Sequence, residues 1–261
     1  MRALNIAATG MAAQNMRVEV ISHNLANMST TAYNARRAEF SDLHYQQVQR
    51  PGTINSTEGT VLPAGVQLGL GVRPAAVSMQ VEQGSLAETG GSLDIAIEGQ
   101  GYLEITLPNG EPAYTRDGAL KGNGVGLIVT SDGFTVVPDI TIPEEVREIS
   151  INAAGEVWVY FDDQIEAQLL GQLGLTTFSN EKGLEAIGSN LYRETEASGQ
   201  ANVGDASEDG RGTFRQGYLE NSSVDAVREI TGLIEAQRGY ELNAKVITAS
   251  DQMLAATTQV R

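Results

Sequence analysis

Apolar residues in the N-terminal part of the chain are spaced alternately three and four positions apart. The series is Leu4, Ala7, Met11, Gln14, Val18, Ile21 and Leu25. A heptad repeat of this kind is typical of a helix that packs lengthwise against another helix. The spacing therefore predicts an N-terminal helix with a continuous packing stripe.

The C-terminal part of the chain carries a longer stripe of the same spacing, formed by Ala226, Ile230, Leu233, Gln237, Tyr240, Ala244, Ile247, Asp251 and Leu254. Ser222, followed three residues later by Asp225, is similar to a capping box and predicts that Ser222 caps this helix. Val227, Ile234 and Val246 add apolar surface beside the stripe, which predicts more than one neighbour. An alternative interpretation is that the two helices only pack within their own chain.

Apolar and polar residues alternate with a period of two in the middle of the chain. The alternating stretches are 77–81, 93–97, 149–151 and 157–161. Ala153-Ala154-Gly155 is typical of a hairpin tip. Asn-Gly or Asp-Gly pairs, which favour turns, begin at Asn109, Asp117, Asn123 and Asp132. Short strands with frequent turns predict an all-β domain over residues 72–215.

The segment between the first helix and the β domain, residues 46–71, is polar and has no clear period, so we expect an extended arm or a loose hairpin. The predicted fold class is then α+β. Coiled-coil-like N- and C-terminal helices pack together, and residues 1–45 and 216–261 form one discontinuous helical assembly domain. The arm (46–71) and an all-β outer domain (72–215) are inserted between them.

The formal net charge of −16 is unevenly distributed. Residues 46–215 carry 24 acidic and nine basic side chains, whereas the two ends together are almost neutral. The termini can therefore pack against copies of themselves at little electrostatic cost, and the acidic middle is suited to face water. This balance argues against a nucleic-acid partner.

The apolar runs are too short for a membrane span of about 18 residues or more, which argues against membrane insertion. The N-terminus also lacks the continuous apolar core of a signal peptide, so we expect it to be an uncleaved amphipathic helix.

The motifs that carry enzyme chemistry are missing from the sequence. There is no cysteine, and the two histidines, His23 and His44, have no nucleophile-elbow motif to support a triad. The acidic pairs and clusters at 162–163 and 205–209 lack EF-hand spacing, and the Gly-rich 122–126 lacks a Walker lysine. We therefore predict no enzyme, no catalytic residue, no cofactor and no metal.

The polar run SHNLANMSTTAYNARR (22–37) directly follows the first heptad stripe. Asn24 and Asn27 can satisfy backbone groups at the helix end, and Thr30 and Thr31 can do so in the turn beyond. Small uncharged side chains would also let another subunit approach closely without burying charge. The alternative is a simple helix stop.

Several of these stretches resemble the rod and hook family of bacterial flagellar axial proteins. Near the first helix the matching residues are Ser22, Asn24, Ala26, Asn27, Thr30 and Thr31, with Tyr33 in place of the usual Phe and Ala32 in place of the usual Gly. Before the last helix they are Gly217, Leu219, Glu220, Ser222, Val224 and Asp225. Within the helix they are Gln237, Arg238, Tyr240, Glu241, Asn243, Lys245, Ile247, Asp251, Met253 and Leu254. LDIAIEGQGYLEI, AYTRDGAL and GLIVTSDGFTV are similar to the β domain of this family.

This resemblance implies a structural subunit of the distal rod of the flagellar basal body. Copies of the chain would form a helical tube, with the terminal helices lining the inside, that transmits torque and conducts exported subunits. A proximal rod or hook-type axial protein is an alternative within the family. A more remote alternative is a secreted binding protein or enzyme with a β domain and coiled-coil oligomerisation helices.

The resemblance also implies partners and a location. The partners would be other copies of the chain, proximal rod proteins, hook protein, the surrounding P and L rings and the flagellar type III export apparatus. The location would be the periplasm-spanning rod, reached without a cleaved signal peptide.

Overall fold

The computed structural model describes residues 2–50, 64–162 and 166–259. Both predicted terminal helices are confirmed: α1 is Arg2–Ala26 and α2 is Ala226–Gln259. Neither helix is long and apolar enough, over its described residues, to cross a membrane.

Short strands make up most of the remaining regular structure. In chain order they are β1 Arg36–Asp42, β2 Tyr45–Gln49, β3 Val66–Gly69, β4 Val72–Met79, β5 Leu86–Glu88, β6 Ile95–Glu98, β7 Leu103–Thr106, β8 Pro112–Thr115, β9 Lys121–Gly122, β10 Ile128–Val129, β11 Thr135–Val136, β12 Val146–Ile151, β13 Glu156–Phe161, β14 Gln168–Gln172, β15 Gly174–Thr177, β16 Glu185–Gly188, β17 Leu191–Arg193, β18 Asn202–Asp205, β19 Thr213–Gln216 and β20 Tyr218–Glu220.

The chain divides into two compact units. The first, the helical unit, consists of residues 1–26, 36–78 and 225–261. In this unit α1 runs along α2, β1 pairs with β4, and β2 pairs with β3. The second, the β unit, consists of residues 27–35 and 79–224.

The β unit is built around a seven-stranded antiparallel sheet with the strand order β16-β17-β8-β7-β11-β10-β9. A three-stranded sheet, β12-β13-β14, and the strand pairs β15–β18, β6–β19 and β5–β20 complete it. The main core contains side chains from most of these strands, including Ile97, Leu103, Val157 and Leu175, which are fully buried. A second cluster contains Met79, Tyr102, Tyr114, Phe178 and Tyr192.

The alternating stretches at 93–97, 149–151 and 157–161 fall on β6, β12 and β13. Val157 and Val159 alternate inward on β13, and the predicted hairpin tip before this strand has Gly155 at a φ of 85°. The stretch 77–81 is the exception, because only Met79 is buried while Val77 and Val81 are exposed. The strand ends at Met79, and the next backbone N–H, that of Gln80, donates to Ala35 O instead.

The predicted cap of the last helix is wrong. Asp225, immediately before α2, is the N-cap: its Oδ1 accepts from the backbone N–H groups of Val227 at 2.9 Å and Arg228 at 3.2 Å. Ser222 Oγ accepts from Val224 N at 3.3 Å, before the helix begins. The carboxylate is preferred here because it reaches the second and third free N–H groups of the helix directly.

The described ends of the arm form an antiparallel hairpin stem. β2 and β3 pair with Tyr45 opposite Gly69 and Gln47 opposite Gln67. Residues 51–63 lie outside the described part of the chain, so the extended arm stays a prediction there. The boundaries predicted for the three regions also stay a prediction.

Candidate assembly surface

The contact between α1 and α2 is close because small side chains face it. All seven residues of the predicted α1 stripe are buried or half-buried. A Cβ on Gly232 would lie 3.4 Å from Ile21 Cδ1, and one on Gly239 would lie 3.1 Å from Gln14 Cδ. The α2 residues that are buried or half-buried are Ala226, Glu229, Gly232, Leu233, Ala236, Gly239, Asn243, Ala244, Ile247 and Ser250.

The predicted α2 stripe is therefore only partly buried, through Ala226, Leu233, Ala244 and Ile247. Much of that stripe is exposed, including Ile230 at 47%, Tyr240 at 46% and Leu254 at 41%. Gly232, Ala236 and Gly239, each one residue before a stripe position, supply small side chains at the contact. Glycine and alanine there allow the two backbones to approach closely, and larger side chains are consequently placed on the flanks.

These flanks leave a large apolar surface uncovered on α2. We define the apolar surface of α2 as Val227, Ile230, Ile234, Tyr240, Leu242, Val246, Met253 and Leu254, all of which are exposed in the single chain. Exposed apolar side chains in this number on one helix favour an interaction site. That α2 has more than one neighbour remains a prediction.

Polar contacts fix the register of the two helices. Arg17 Nη2 lies 3.0 Å from Glu235 Oε2 in an exposed ion pair. Asn24, which is 1% exposed, donates through Nδ2 to Glu229 Oε1 at 3.2 Å. It also accepts from Arg36 N at 2.9 Å and donates to Arg36 O at 2.8 Å.

The side chain of Asn24 satisfies the backbone of Arg36 at the start of β1, a contact that the sequence did not predict. Asn27 Oδ1 accepts from Thr30 Oγ1 at 3.2 Å, and the Asn27 carbonyl accepts from Thr30 N at 3.2 Å. The polar run thus builds a turn and does more than stop a helix.

The two terminal family stretches meet within the β unit. Ala32 N donates to Glu220 O at 2.8 Å, Ser223 N donates to Tyr33 O at 3.0 Å, and Ala35 N donates to Ser223 Oγ at 2.9 Å. From the β16–β17 turn, Asn190 Nδ2 donates to Thr31 O at 2.7 Å. The loop 27–35 is therefore held at several points along its backbone.

Ala32 has a left-handed backbone, with a φ of 53°. The family has glycine here, and an L side chain in this region costs roughly 1–2 kcal/mol. We therefore expect Ala32→Gly to raise the free energy of unfolding by up to about 1 kcal/mol, after the entropy cost of glycine is subtracted. Urea unfolding measures the change.

The matched control for this substitution is Ala35→Gly. Ala35 is equally buried, at 4% against 3% for Ala32, but its φ is negative. It should therefore lose stability on the same substitution. If both variants lose stability equally, Ala32 is not strained.

A buried arginine joins the C-terminal family stretch to the sheet. Arg116 Nε lies 3.0 Å and its Nη2 2.9 Å from Glu220 Oε2, and the two side chains are 7% and 3% exposed. The other Arg116 N–H groups donate to three carbonyls, those of Ile97, Gly99 and Gly101. Glu220 Oε1 accepts from Gly84 N at 3.0 Å. Both buried charges are thus paired and hydrogen-bonded, as buried charges must be.

Two further groups near this pair have shifted pKa values. Burial, followed by the charge of Glu181, raises the pKa of Tyr102, whose hydroxyl donates to Glu181 Oε2 at 3.0 Å. Burial also raises the pKa of Asp117, against the opposing effect of the hydrogen bond from Ala119 N. Both groups lie in the β unit.

The remaining residues of the family stretches fall into two groups. Gly217, Leu219, Ser222, Val224, Asn243 and Ile247 are half-buried, and Gly217 has a φ of 76°. Ser22, Ala26, Asp225, Gln237, Arg238, Tyr240, Glu241, Lys245, Asp251, Met253 and Leu254 are exposed.

Sequence reasoning missed the polar contacts made by Arg116, Glu229 and Glu235. Only Arg116 had a visible signal, as a charged residue inside the family-like AYTRDGAL stretch.

The candidate chemical groups remain scattered. His23 and His44 are exposed. Asp209 Oδ2 lies 3.4 Å from Arg211 Nη1, and Asp163 lies outside the described residues. Over the parts of the chain that the structure describes, no group of three or more His, Asp or Glu side chains could hold a metal ion.

Models of known protein families match both terminal helices and part of the β unit. Residues 4–33 match the flagella basal body rod protein model, and residues 215–260 match the C-terminal model of flagellar basal body rod FlgEFG proteins. Residues 96–159 match the D1 domain of flagellar hook protein FlgE/F/G. The class is therefore that of flagellar rod and hook proteins, and the resemblance at both ends is confirmed.

Full-length relatives narrow the class further. The chain is 52% identical over 261 residues to the flagellar basal-body rod protein FlgG of Caulobacter vibrioides, with 100% of each chain covered. It is 45% identical to FlgG of Borreliella burgdorferi, covering 100% of this chain and 99% of the relative. It is 31% identical, over the whole of both chains, to the hook-basal body complex protein FlhP of Bacillus subtilis. The chain belongs to the flagellar basal-body rod and hook protein family and is most like FlgG.

Proposed function

We propose that this chain is a structural subunit of the distal rod of the flagellar basal body. Copies of it assemble into a helical tube that transmits torque from the motor to the hook and conducts exported subunits. Full-length similarity to FlgG proteins supports the assignment. The observation that carries the self-assembly is the apolar surface of α2, which the single chain leaves uncovered.

In the proposed tube the helical unit lies inside and the acidic β unit faces outward. The almost neutral ends can be crowded together, whereas 24 acidic side chains in residues 46–215 would repel their copies if they were buried between subunits. The apolar surface of α2 then packs on other copies in a coiled-coil-like manner. A head-to-tail contact that does not close on itself generates an open filament.

The subunit acts mechanically and carries out no reaction. Torque passes through many such contacts per subunit, and the proposed partners at the two ends are proximal rod proteins and hook protein. The P and L rings surround the tube, and the type III export apparatus delivers the chain. We propose the periplasm-spanning rod as its location.

Electron microscopy of concentrated protein tests this function. We expect open tubes from the full chain and none from a variant truncated to residues 27–224, because the truncation removes both helices. The truncated chain should remain folded by circular dichroism, since the main core lies between Ile95 and Phe214. Closed rings from the full chain, or tubes from the truncated one, would contradict the proposal.

We further propose that the arm (46–71) packs across neighbouring subunits and stiffens the tube. Its described stem exposes Tyr45, Val48, Val66 and Leu68, and a two-stranded hairpin alone is marginally stable in water. Replacing residues 46–70 by a short Gly-Ser linker should give a softer or curved filament. Persistence length measured on micrographs is the readout, and an equally straight, stiff filament would refute this role.

A further inference from the structure

The base of the arm contacts α1 through one side chain. Thr9 Oγ1 donates to Ile6 O at 2.8 Å within its own helix, and it accepts from Val72 N at 3.4 Å. On the other side of the base, Leu43 N donates to Gly71 O at 2.8 Å. Both chain ends of the arm are thus held beside a single turn of α1.

Gly71 makes this contact unusually close. Its φ is 116°, a conformation that other residues rarely adopt, and a Cβ there would lie 2.2 Å from Thr9 Oγ1. Gly69, two residues earlier, offers a contrast. A Cβ on Gly69 would make only an ordinary contact, 3.5 Å from Tyr45 Cε1, and its φ is not positive.

The same turn of α1 also contacts α2. Gly10, the next residue, faces Asn243, and a Cβ on Gly10 would lie 2.9 Å from Asn243 Nδ2. A single turn of α1 therefore contacts α2 through Gly10 and the arm base through Thr9. No loop separates the two contacts.

The stem beyond this base has little other support. Every residue of β2 is exposed, as are Val66, Gln67 and Leu68 of β3. The direction of the stem is consequently determined mainly at its base.

We propose that Thr9 is a positioning residue for the arm. Its hydroxyl contacts Gly71 and Val72 and so fixes the arm to α1. When the helices dock on other copies of the chain, the arm is consequently placed on the neighbouring copy. The inference rests on the proposed function of the chain as a rod subunit, and it deepens the role of the arm there.

Hydrogen exchange on the assembled protein tests the proposal, with Thr9→Val and Thr9→Ser as a matched pair. Valine keeps the shape of threonine and has a similar helix propensity but no hydroxyl, whereas serine keeps the hydroxyl. We expect Thr9→Val to speed exchange of the amides in 45–49 and 66–72 by about two- to tenfold, the effect of one hydrogen bond. Thr9→Ser should exchange like the original chain.

A glycine pair provides a second, independent test. Gly71→Ala should speed exchange of the same amides by about tenfold or more. Neither the positive φ of Gly71 nor the space beside Thr9 accommodates a Cβ. Gly69→Ala should change it little. In all four variants the amides of α1 and α2 should keep their protection.

Equal exchange in Thr9→Val and Thr9→Ser would overturn the proposal. So would a uniform rise along α1, because that would indicate general loss of the helix. If the original chain forms no tubes, the proposed function fails. The same comparison on the dilute chain still decides whether Thr9 holds the arm base.

Discussion

Glu220→Gln is expected to lower the free energy of unfolding of the β unit by about 3–5 kcal/mol, because it leaves the charge of a buried arginine without its partner. Arg116 and Glu220 are 7% and 3% exposed and lie 2.9 Å apart. Urea unfolding followed by the fluorescence of Trp158, the single tryptophan, measures the loss.

Glu111→Gln is the matched control for this substitution. It removes the partner of Arg193 in the same unit, but that pair is 56% and 45% exposed and its atoms are 3.4 Å apart. An exposed pair contributes about 0–1 kcal/mol, so this variant should unfold almost like the original chain. Similar losses in both variants would mean that the Arg116–Glu220 pair has no special structural role.

The second large effect is expected on assembly. Val246→Asp should raise the protein concentration needed for tube formation by at least about a hundredfold, because it removes an apolar contact and would bury a carboxylate between subunits. Val246 is 47% exposed in the single chain, so folding itself should change little. Valine and aspartate also have similar helix propensities.

Val125→Asp provides the control for assembly. Val125 lies in the β unit and is 81% exposed, so the same change of side chain occurs on a surface that the proposal places in water. Sedimentation across a concentration series measures both variants. Normal tube formation by Val246→Asp, or equal loss in both, would show that α2 does not provide the assembly contact.

The helices could be read from the sequence because a heptad stripe is a local property. Both ends of the chain carry the stripe, and α1 and α2 occupy the predicted stretches. The strand at 157–161 and the hairpin tip at Gly155 could be predicted equally well, because alternation and a glycine turn depend only on neighbouring residues. The family stretches at both ends were recognisable for the same reason.

Side-chain roles were harder to predict where distant residues compete. Ser222 and Asp225 are both suitable N-cap residues. Asp225 is the N-cap because α2 begins at the next residue, where its carboxylate reaches the free N–H groups. Asn24 fitted a helix end, but the backbone of Arg36 comes within its reach after the chain turns back. Nothing in the sequence paired Arg116 with Glu220 across more than a hundred residues.

The sequence by itself determined the order of helix, β body and helix, the neutral ends with the acidic middle, and the family. These follow from patterns and charges that do not depend on distant contacts. The tertiary structure decided which stripe of α2 faces α1. Gly232, Ala236 and Gly239 face α1, because close backbone approach there outweighs the larger side chains one position along. That choice leaves the large apolar residues of α2 uncovered and available to other copies of the chain.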